Sequence, residues 1–535
     1  MTASPGALRI ALTLVGFNAG LLALELPRHW GPGPNWLAFE ALAITGLFLL
    51  LPRRRWTRWP AALAGVLAVL LTVLAGLDAV VRLSLARPLN VYLDYPLATS
   101  VYDLAAGTLG GPLAALVLTL SAAALALLGW AVAGALLALR PPHPATRRRL
   151  AGAVLLVLGL GGAINNQMAP AVPRAIVPAW TLLADQVHWA LRSHRESQAF
   201  AAMLAERPPR PAGRLSGFAD TDVVIGLIES YGVSAVFDDR YAVSVRPRLR
   251  DLARGLAGNG LHMVTGTLEA PTAGGQSWLS HATLLSGLWV DNQLRYRLLL
   301  REPRDTLVQD FAATGHRTAV VKPAITQAWP QGAWYRFDRV LAAEDMGYQG
   351  PALNWVTMPD QFTWWRFQEA VRGPTDAPVF GVLALISSHA PWVPILPVLD
   401  DWDSLADGRV FQRWADAGLA PEHLWQDTDR VRAHYAGSVG YALGVAGSWA
   451  REYMDDETLL VVLGDHQAAP LITGDEAGRA VPVHVISSDP ERLAPLRRRG
   501  FIPGAVPAGP EPLARMDALR GWLHADYGDG ASNSP

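Results

Sequence analysis

Three groups of side chains that could bind a metal or move a proton follow short apolar runs typical of buried β-strands. They are Glu229 after the run 222–228, Ser388-His389 after the run 379–387, and the adjacent Asp465 and His466 after the run 459–463. A hydroxyl group, that of Ser277, begins a helical pattern after a glycine-rich turn. Carboxylates, an imidazole and a hydroxyl suit a hard or borderline divalent cation. Such a cation and the helix N-terminus would together lower the pKa of Ser277 and let it attack a phosphorus centre.

Each of these residues also has a purely structural interpretation. A strand-end acid such as Glu229 can cap the following turn, and Ser277 can be the N-cap of its helix. Packing explains the adjacent Asp465 and His466 less easily, because such side chains are seldom buried without partners. The helical run after Ser277 holds three weaker candidates for a catalytic role, Ser280, His281 and Thr283. The spacing therefore favours a metal-assisted hydroxyl nucleophile and leaves these alternatives open.

The elements that would position these residues form an α/β domain. Six apolar runs alternate with helical patterns after residue 218, at 222–228, 262–265, 317–321, 379–387, 459–463 and 481–486. Continuous apolar runs of this kind predict a mainly parallel central sheet that is covered by helices on both faces. Because ligands bind beyond the carboxyl ends of such strands, the predicted site lies along one edge of the sheet.

The first third of the chain is too apolar for an ordinary soluble domain. Charged residues make up 17% of the 535 residues, against about 25% in typical soluble proteins. The deficit lies between Ala7 and Gly162, where five apolar stretches approach the ~20 residues that are needed to cross a bilayer. These stretches are 7–26, 36–51, 60–84, 111–139 and 150–167. We therefore expect a bundle of five transmembrane helices.

Arginines in alternate loops predict the orientation of this bundle. The loops between the second and third stretches and between the fourth and fifth are rich in arginine, whereas the other two loops are poor in it. Since arginine-rich short loops stay in the cytoplasm, the N-terminus is predicted to be inside and the chain after the fifth helix outside. The predicted domains are a membrane domain at 1–167, a linker at 168–217 whose helix lies on the membrane or on the soluble domain, a catalytic domain at 218–527 and a disordered tail at 528–535.

Charge and cysteine content exclude several classes of protein. The net charge of −1 gives no electrostatic attraction for nucleic acid, so no nucleic-acid partner is expected. The chain has no cysteine, which excludes disulfides, thiol nucleophiles and cysteine-based zinc or iron–sulfur sites. Among its 45 basic residues, Lys322 is the only lysine.

Four motifs behind the five apolar stretches resemble the sulfatase-like branch of the alkaline phosphatase superfamily. The motifs are Asp222-Val-Val-Ile-Gly-Leu-Ile-Glu229-Ser-Tyr-Gly, Gly274-Gly-Gln-Ser277-Trp, Ser388-His389-Ala-Pro and Leu463-Gly-Asp465-His466. Within this branch the chain is similar to membrane-anchored lipoteichoic acid synthases, phosphoglycerol transferases and lipid A phosphoethanolamine transferases. The resemblance implies five N-terminal transmembrane helices followed by an extracytoplasmic sulfatase-like domain.

The resemblance implies a role for each matching residue. Glu229, Asp465 and His466 match the metal ligands of the family. Ser277 lies where the family has a threonine nucleophile that carries the covalent intermediate and also touches the metal. One divalent metal ion, Mn or Zn, is therefore implied as the cofactor. His389 matches the histidine that contacts the transferred phosphate group.

The resemblance also implies a site for the head group of a lipid. In the lipoteichoic acid synthases a His, Trp and Arg cluster binds phosphoglycerol. The corresponding stretch of this chain places Lys322 at the His position and offers Trp329 and Arg336 for the other two. The sequence from Ser277 to His281 does not match the motif of formylglycine sulfatases, so arylsulfatase activity is not expected.

Together these patterns predict a multi-pass transferase of the bacterial inner (cytoplasmic) membrane, with its catalytic domain in the periplasm. Ser277 would take phosphoglycerol or phosphoethanolamine from a membrane phospholipid donor and pass it to a glycan or lipid acceptor. Two alternatives stay open. One is a membrane-anchored hydrolase of the same superfamily, which would use water as the acceptor, and the other is a catalytically inactive scaffold that keeps the fold.

Overall fold

The chain divides into two compact units. In the computed structural model, the described residues are 5–26, 35–95, 102, 105–106, 109–140, 146–168, 175–206, 213–474 and 476–529. The first unit comprises Met1–Arg82 and Arg87–Glu196, and the second comprises Leu83–Ala86 and Ser197–Pro535. Parts of the predicted linker, 169–174 and 207–212, lie outside the described residues, as does most of the predicted tail, 530–535.

The first unit contains the predicted membrane helices. They are α1 (Pro5–Leu22), α2 (Phe39–Leu50), α3 (Arg58–Leu85), α4 (Gly111–Leu139) and α5 (Thr146–Met168). All except α2 belong to helical segments that are long and apolar enough to cross a bilayer. With 12 residues, α2 extends for about 18 Å, which is shorter than a bilayer core of ~30 Å. Four of the five predicted segments are thus helices of spanning length and composition, and the fifth span stays a prediction.

Glycines allow α2 and α5 to pack closely against each other. A Cβ atom on Gly46 would lie 2.5 Å from the backbone nitrogen of Leu156, and one on Gly159 would lie 2.4 Å from that of Ala43. Small residues permit this close approach of two helix backbones in a membrane. Phe48 and Leu49 of α2 are buried as well, so protein contacts hold this short helix in place.

A long helix connects the membrane segments to the rest of the chain. This helix, α6 (Pro178–Glu206), begins in the first unit and ends in the second. Just before it, Ala175–Ile176 pairs in parallel with Leu37–Ala38 as a two-residue strand. The helix predicted in the linker is therefore present, and its position on a membrane surface stays a prediction.

The second unit is built on a sheet of nine strands. In chain order they are β1 (Asp222–Ile228), β2 (His262–Glu269), β3 (Arg317–Lys322), β4 (Arg339–Ala342), β5 (Val379–Leu385), β6 (Thr458–Gly464), β7 (Ala480–Ser487), β8 (Ile502–Pro503) and β9 (Ala514–Arg515). The spatial order is β8-β2-β7-β6-β1-β5-β3-β4, with β9 also paired to β2. All six predicted strands are present.

The sheet is mixed rather than mainly parallel. The five neighbouring strands β6, β1, β5, β3 and β4 are parallel, as predicted. Strand β7 is antiparallel to both β6 and β2, and β8 is antiparallel to β2. The described part of the β6–β7 connection contains only the four-residue helix Pro470–Thr473. A parallel return requires a full crossover helix, so the chain returns antiparallel here.

Helices cover both faces of the sheet. They are α7 (Asp239–Ala257), α8 (Ser277–Ser286), α9 (Gln293–Arg301), α10 (Leu307–Thr314), α11 (Asp360–Phe367), α12 (Thr428–Tyr453) and α13 (Ala518–Tyr527). Shorter helices of the second unit occupy Ser234–Phe237, Gly332–Tyr335, Pro421–Leu424, Pro470–Thr473 and Ala494–Arg498, and the first unit has one at Val91–Asp94. Alternate residues of β1 enter opposite cores: Val224 packs with α7, α11 and α12, whereas Val223 packs with α8, α10 and α13. Burial on both faces explains why these strands are continuously apolar.

Candidate functional site

Four adjacent strands place polar residues along one edge of the sheet. In the order β6, β1, β5 and β3, these residues are Asp465 and His466, Glu229, Ser388 and His389, and Lys322. The strands are parallel, so their carboxyl ends meet at the same edge. The strand order thus assembles residues from four separate parts of the chain into one candidate site.

Ser277 reaches this edge from the first turn of α8. The preceding turn has left-handed backbone at Gly274 (φ +75°) and at Gln276 (φ +64°). Gln276 is the N-cap of α8, so the interpretation of Ser277 as the N-cap does not hold. Instead, Ser277 Oγ donates a hydrogen bond of 2.9 Å to Glu229 Oε2 and lies 3.2 Å from His466 Nε2.

Glu229, Asp465 and His466 form a set of donors that fits a divalent cation. Their ligand atoms lie within 4.8 Å of one another, and all three residues are buried. His466 Nδ1 donates to the carbonyl oxygen of Gln467 at 2.8 Å, which directs the lone pair of Nε2 into the site. His466 Nε2 lies 3.1 Å from Glu229 Oε1 and 3.8 Å from Asp465 Oδ1. We call these three residues and Ser277 the acidic cluster.

The protonation properties of the acidic cluster reflect the crowding of two buried carboxylates. Burial and the charge of Glu229 raise the pKa of Asp465 to about 7. Burial opposes protonation of His466, but Asp465 and Glu229 raise its pKa to about 10. Burial would raise the pKa of Glu229 as well, but the charge and hydrogen bond of His466 hold it well below the ordinary value. The cluster therefore retains protons that a divalent cation would replace.

A second group of contacts surrounds the only lysine. Lys322 Nζ donates a hydrogen bond of 2.7 Å to His281 Nδ1 and lies 5.1 Å from the ring centroid of Trp329. Burial lowers the pKa of Lys322 to about 8, against the opposing charge of Asp465. Burial and the charge of Lys322 keep the pKa of His281 well below its ordinary range, so this imidazole is a neutral acceptor. We call Lys322, His281 and Trp329 the lysine cluster.

The other two predicted site residues differ in their surroundings. His389 is exposed, and its Nδ1 donates to the carbonyl oxygen of Ala390 at 2.6 Å. Its charge contributes to the low pKa of Glu229, which places it near the acidic cluster. Arg336 instead pairs with Asp305. The structure therefore brings His389 to the site but shows no contact between Arg336 and the lysine cluster among the described residues.

His281 is the residue whose contacts the sequence pattern left undecided. Its spacing from Ser277 is compatible with a catalytic role or with ordinary packing, and the side chain is buried, at 6% exposure. Its Nδ1 nevertheless accepts the hydrogen bond from Lys322, while its Nε2 has no hydrogen-bond partner. The only signal in the sequence was its position four residues after Ser277, on the same face of α8.

Comparisons with known proteins find likeness at the level of structure. No protein-family model and no curated protein matches the chain. A protein in the alkaline phosphatase superfamily from Vibrio parahaemolyticus is 14% identical with a TM-score of 0.32, and the match covers 49% of this chain and 59% of that one. The lipoteichoic acid synthase LtaP from Listeria monocytogenes is 12% identical with a TM-score of 0.34, over 54% of this chain and 70% of that one.

The third match is the C-terminal periplasmic domain of EcEptC from Escherichia coli. It is 14% identical with a TM-score of 0.39, and the match covers 61% of this chain and 88% of that domain.

Proposed function

We propose that this chain is a metal-dependent transferase that moves a phospho-head-group from a membrane phospholipid through a covalent intermediate on Ser277. The observation that carries this proposal is the position of Ser277 Oγ. It is hydrogen-bonded to Glu229 and lies 3.2 Å from His466 Nε2, within a buried set of metal-type donors at the start of a helix. A nucleophile needs such a setting, because an isolated serine hydroxyl is weak.

Glu229, Asp465, His466 and the Ser277 hydroxyl would hold one divalent metal ion, with Mn or Zn proposed. When bound, such an ion would neutralise the two carboxylates and lower the pKa of the hydroxyl. The residues of the site are prepared for this role. His466 is fixed in one tautomer by Gln467, and Asp465 Oδ1 is fixed by backbone hydrogen bonds from Ser230 at 2.9 Å and His466 at 2.7 Å.

The reaction would proceed in two displacements at phosphorus. In the first, the bond between Ser277 Oγ and phosphorus forms while the bond from phosphorus to the diacylglycerol oxygen breaks. The serine proton is released to solvent as the hydroxyl ionises, and the departing diacylglycerol oxygen takes up a proton from solvent. In the second, the bond from phosphorus to a hydroxyl oxygen of a glycan or lipid acceptor forms while the bond to Ser277 Oγ breaks; the acceptor hydroxyl releases its proton to solvent, and Ser277 takes one up.

The substrate residues follow from the same geometry. Lys322 and His389, which lie at the ends of β3 and β5 on the same side of β1, would donate to the phosphate oxygens, and Trp329 would flank the head group. Arg336 was predicted in this role too, and its ion pair with Asp305 would have to open first. The proposed location is the bacterial inner membrane with the catalytic domain in the periplasm, where the phospholipid donor is at hand.

The test is intact-protein mass spectrometry of the full chain in lipid nanodiscs. Wild type and Ser277→Ala would be incubated with phosphatidylglycerol or phosphatidylethanolamine and with Mn²⁺ or Zn²⁺. A mass increase of one phospho-head-group in the wild type only would identify both nucleophile and donor. Release of diacylglycerol without an adduct or acceptor requirement would favour the hydrolase. Absence of bound metal, adduct and turnover would leave the inactive scaffold.

A further inference from the structure

The membrane unit contains an apolar groove between three of its helices. Its volume is about 410 Å³, and its walls come from α1 and the turn after it between Leu12 and Leu24, from α3 between Ala68 and Thr72, and from α4 between Leu128 and Ala135. The side chains in the walls are apolar apart from two threonines. Thr72 Oγ1 donates to the carbonyl oxygen of Ala68 in its own helix, at 2.8 Å. The occupant must therefore be apolar.

Glycines line this groove without serving helix contacts. Where α3 meets α4, a Cβ atom on Gly65 would lie 2.4 Å from the carbonyl oxygen of Gly129, so that glycine permits close packing. At Gly16 and Gly20 of α1, by contrast, an added Cβ would meet no heavy atom of a described residue within 4 Å. The space left by these two residues is therefore open to the groove rather than filled by a neighbouring helix.

The dimensions of the groove decide between a helix and a hydrocarbon chain as occupant. The wall from Leu12 to Leu24 covers 12 helical steps, which is about 18 Å. The centre of a water-sized sphere can occupy 410 Å³ over this length, a mean cross-section of about 23 Å², and adding the radius of that sphere on each side makes the groove about 8 Å wide. An α-helix with side chains is about 10 Å wide. Carbon atoms of packed chains approach to about 4 Å, so a single hydrocarbon chain fits where a helix does not.

We propose that this groove holds one acyl chain of a membrane phospholipid. The ligand would make the dispersion contacts that the open walls lack, which is the main source of association inside a bilayer, where hydrophobic exclusion from water is absent. The site requires only that α1, α3 and α4 lie in a membrane. The acyl-chain site could therefore exist whether or not Ser277 carries out the proposed reaction.

The pair Gly16 and Gly20 also matches the Gly-x-x-x-Gly pattern by which transmembrane helices dimerise. That pattern defines the competing outcome. In a dimer, α1 of a second copy would cover the groove, and the two glycines would face each other. The experiment must therefore report on lipid and on helix contact at the same position.

The test uses the full chain in nanodiscs with phosphatidylglycerol that carries a diazirine near the middle of one acyl chain. After illumination, we expect the cross-linked residues to concentrate between Leu12 and Leu24, in α1 and the turn after it. The double variant Gly16→Leu/Gly20→Leu places side chains in the open space at these two positions and should lower this yield about tenfold. The matched control is Gly76→Leu, an equally open glycine of α3 outside the groove, which should leave the yield unchanged.

Two results would overturn the proposal. One is a yield in the groove no higher than at Leu120, a lipid-facing residue of α4 that is 60% exposed, or a yield that filling leaves unchanged. The other is rapid disulfide formation between two copies of Gly20→Cys, which is informative because the chain has no other cysteine. Thermal unfolding of each variant would show that a lost cross-link does not come from a lost fold.

Discussion

The acidic cluster and the lysine cluster occupy the same edge of the sheet, and each buries charged groups of the opposite sign to the other. The acidic cluster buries two carboxylates around one imidazole, and it compensates their charge with protons on His466 and, in part, on Asp465. The lysine cluster buries one ammonium against a neutral imidazole and an aromatic face, so it carries a positive charge that contacts no carboxylate among the described residues. One cluster can bind a cation, whereas the other presents one.

This difference indicates where an anionic group would bind. With a divalent ion in the acidic cluster, positive charge would lie on both sides of a phosphate, from the ion and from Lys322. The transferred group gains negative charge in the transition state, and preorganised cations stabilise that charge without reorganisation. We therefore expect turnover to fall most when the nucleophile is removed, less when a metal ligand is removed, and least when the lysine cluster is changed.

The largest effect is expected for Ser277→Ala, which removes the nucleophile and keeps the rest of the acidic cluster. Turnover should fall by about 10⁶-fold, the scale seen when a nucleophilic serine is deleted. Ser277→Thr keeps a hydroxyl and should retain activity, since either alcohol can attack phosphorus. The measurement is release of diacylglycerol from labelled phospholipid. Equal activity of wild type and Ser277→Ala would show that another group attacks phosphorus.

Asp465→Asn should come next, because it removes one of the two buried carboxylates while preserving the shape of the side chain. The loss of several kcal/mol of metal-derived stabilisation corresponds to about 10³-fold in turnover. Bound metal, measured by mass spectrometry of the purified chain, should fall in parallel. Asp427→Asn is a matched control, since Asp427 caps α12 and lies outside the cluster. A fully active, metal-free Asp465→Asn would contradict the metal assignment.

The acidic cluster could be predicted from sequence because its members follow buried strands that are parallel neighbours. The strand-end rule needs only the position of Glu229, Asp465 and His466 relative to apolar runs. The contact between Lys322 and His281 could not be predicted, since the residues are 41 positions apart and meet only through the packing of α8 near β3. The antiparallel direction of β7 could not be predicted either. Its residues are nearly as continuously apolar as those of a parallel strand, and the direction follows from the connection to β6, whose described part holds only a four-residue helix.

For the lysine cluster, Lys322→Met should lower kcat/KM for the phospholipid donor by about 30- to 100-fold, the cost of one hydrogen bond to a charged group. The wild type should also show a pH dependence. Lys322 is protonated below its pKa of about 8, so its attraction for phosphate is complete at lower pH and is lost as the pH rises through 8. KM for the donor should rise over that interval.

Lys322→Arg is the informative partner of this experiment, because a guanidinium stays protonated throughout the range. Its KM should therefore remain flat where that of the wild type rises. The same rise in both proteins would show that the pH dependence arises elsewhere, for example from acceptor or metal.

The smallest effect is expected for His281→Gln, which tests whether the two clusters are coupled through α8. Glutamine can still accept a hydrogen bond from Lys322, so the expected loss in kcat/KM is about fivefold, equivalent to ~1 kcal/mol. His281→Leu removes the acceptor but preserves bulk, and it should approach the effect of Lys322→Met because the ammonium would no longer be oriented. Bound metal should be unchanged in both variants, since His281 belongs only to the lysine cluster. If His281→Leu lost metal instead, the helix that carries Ser277 would have moved, and the two clusters would form a single structural unit.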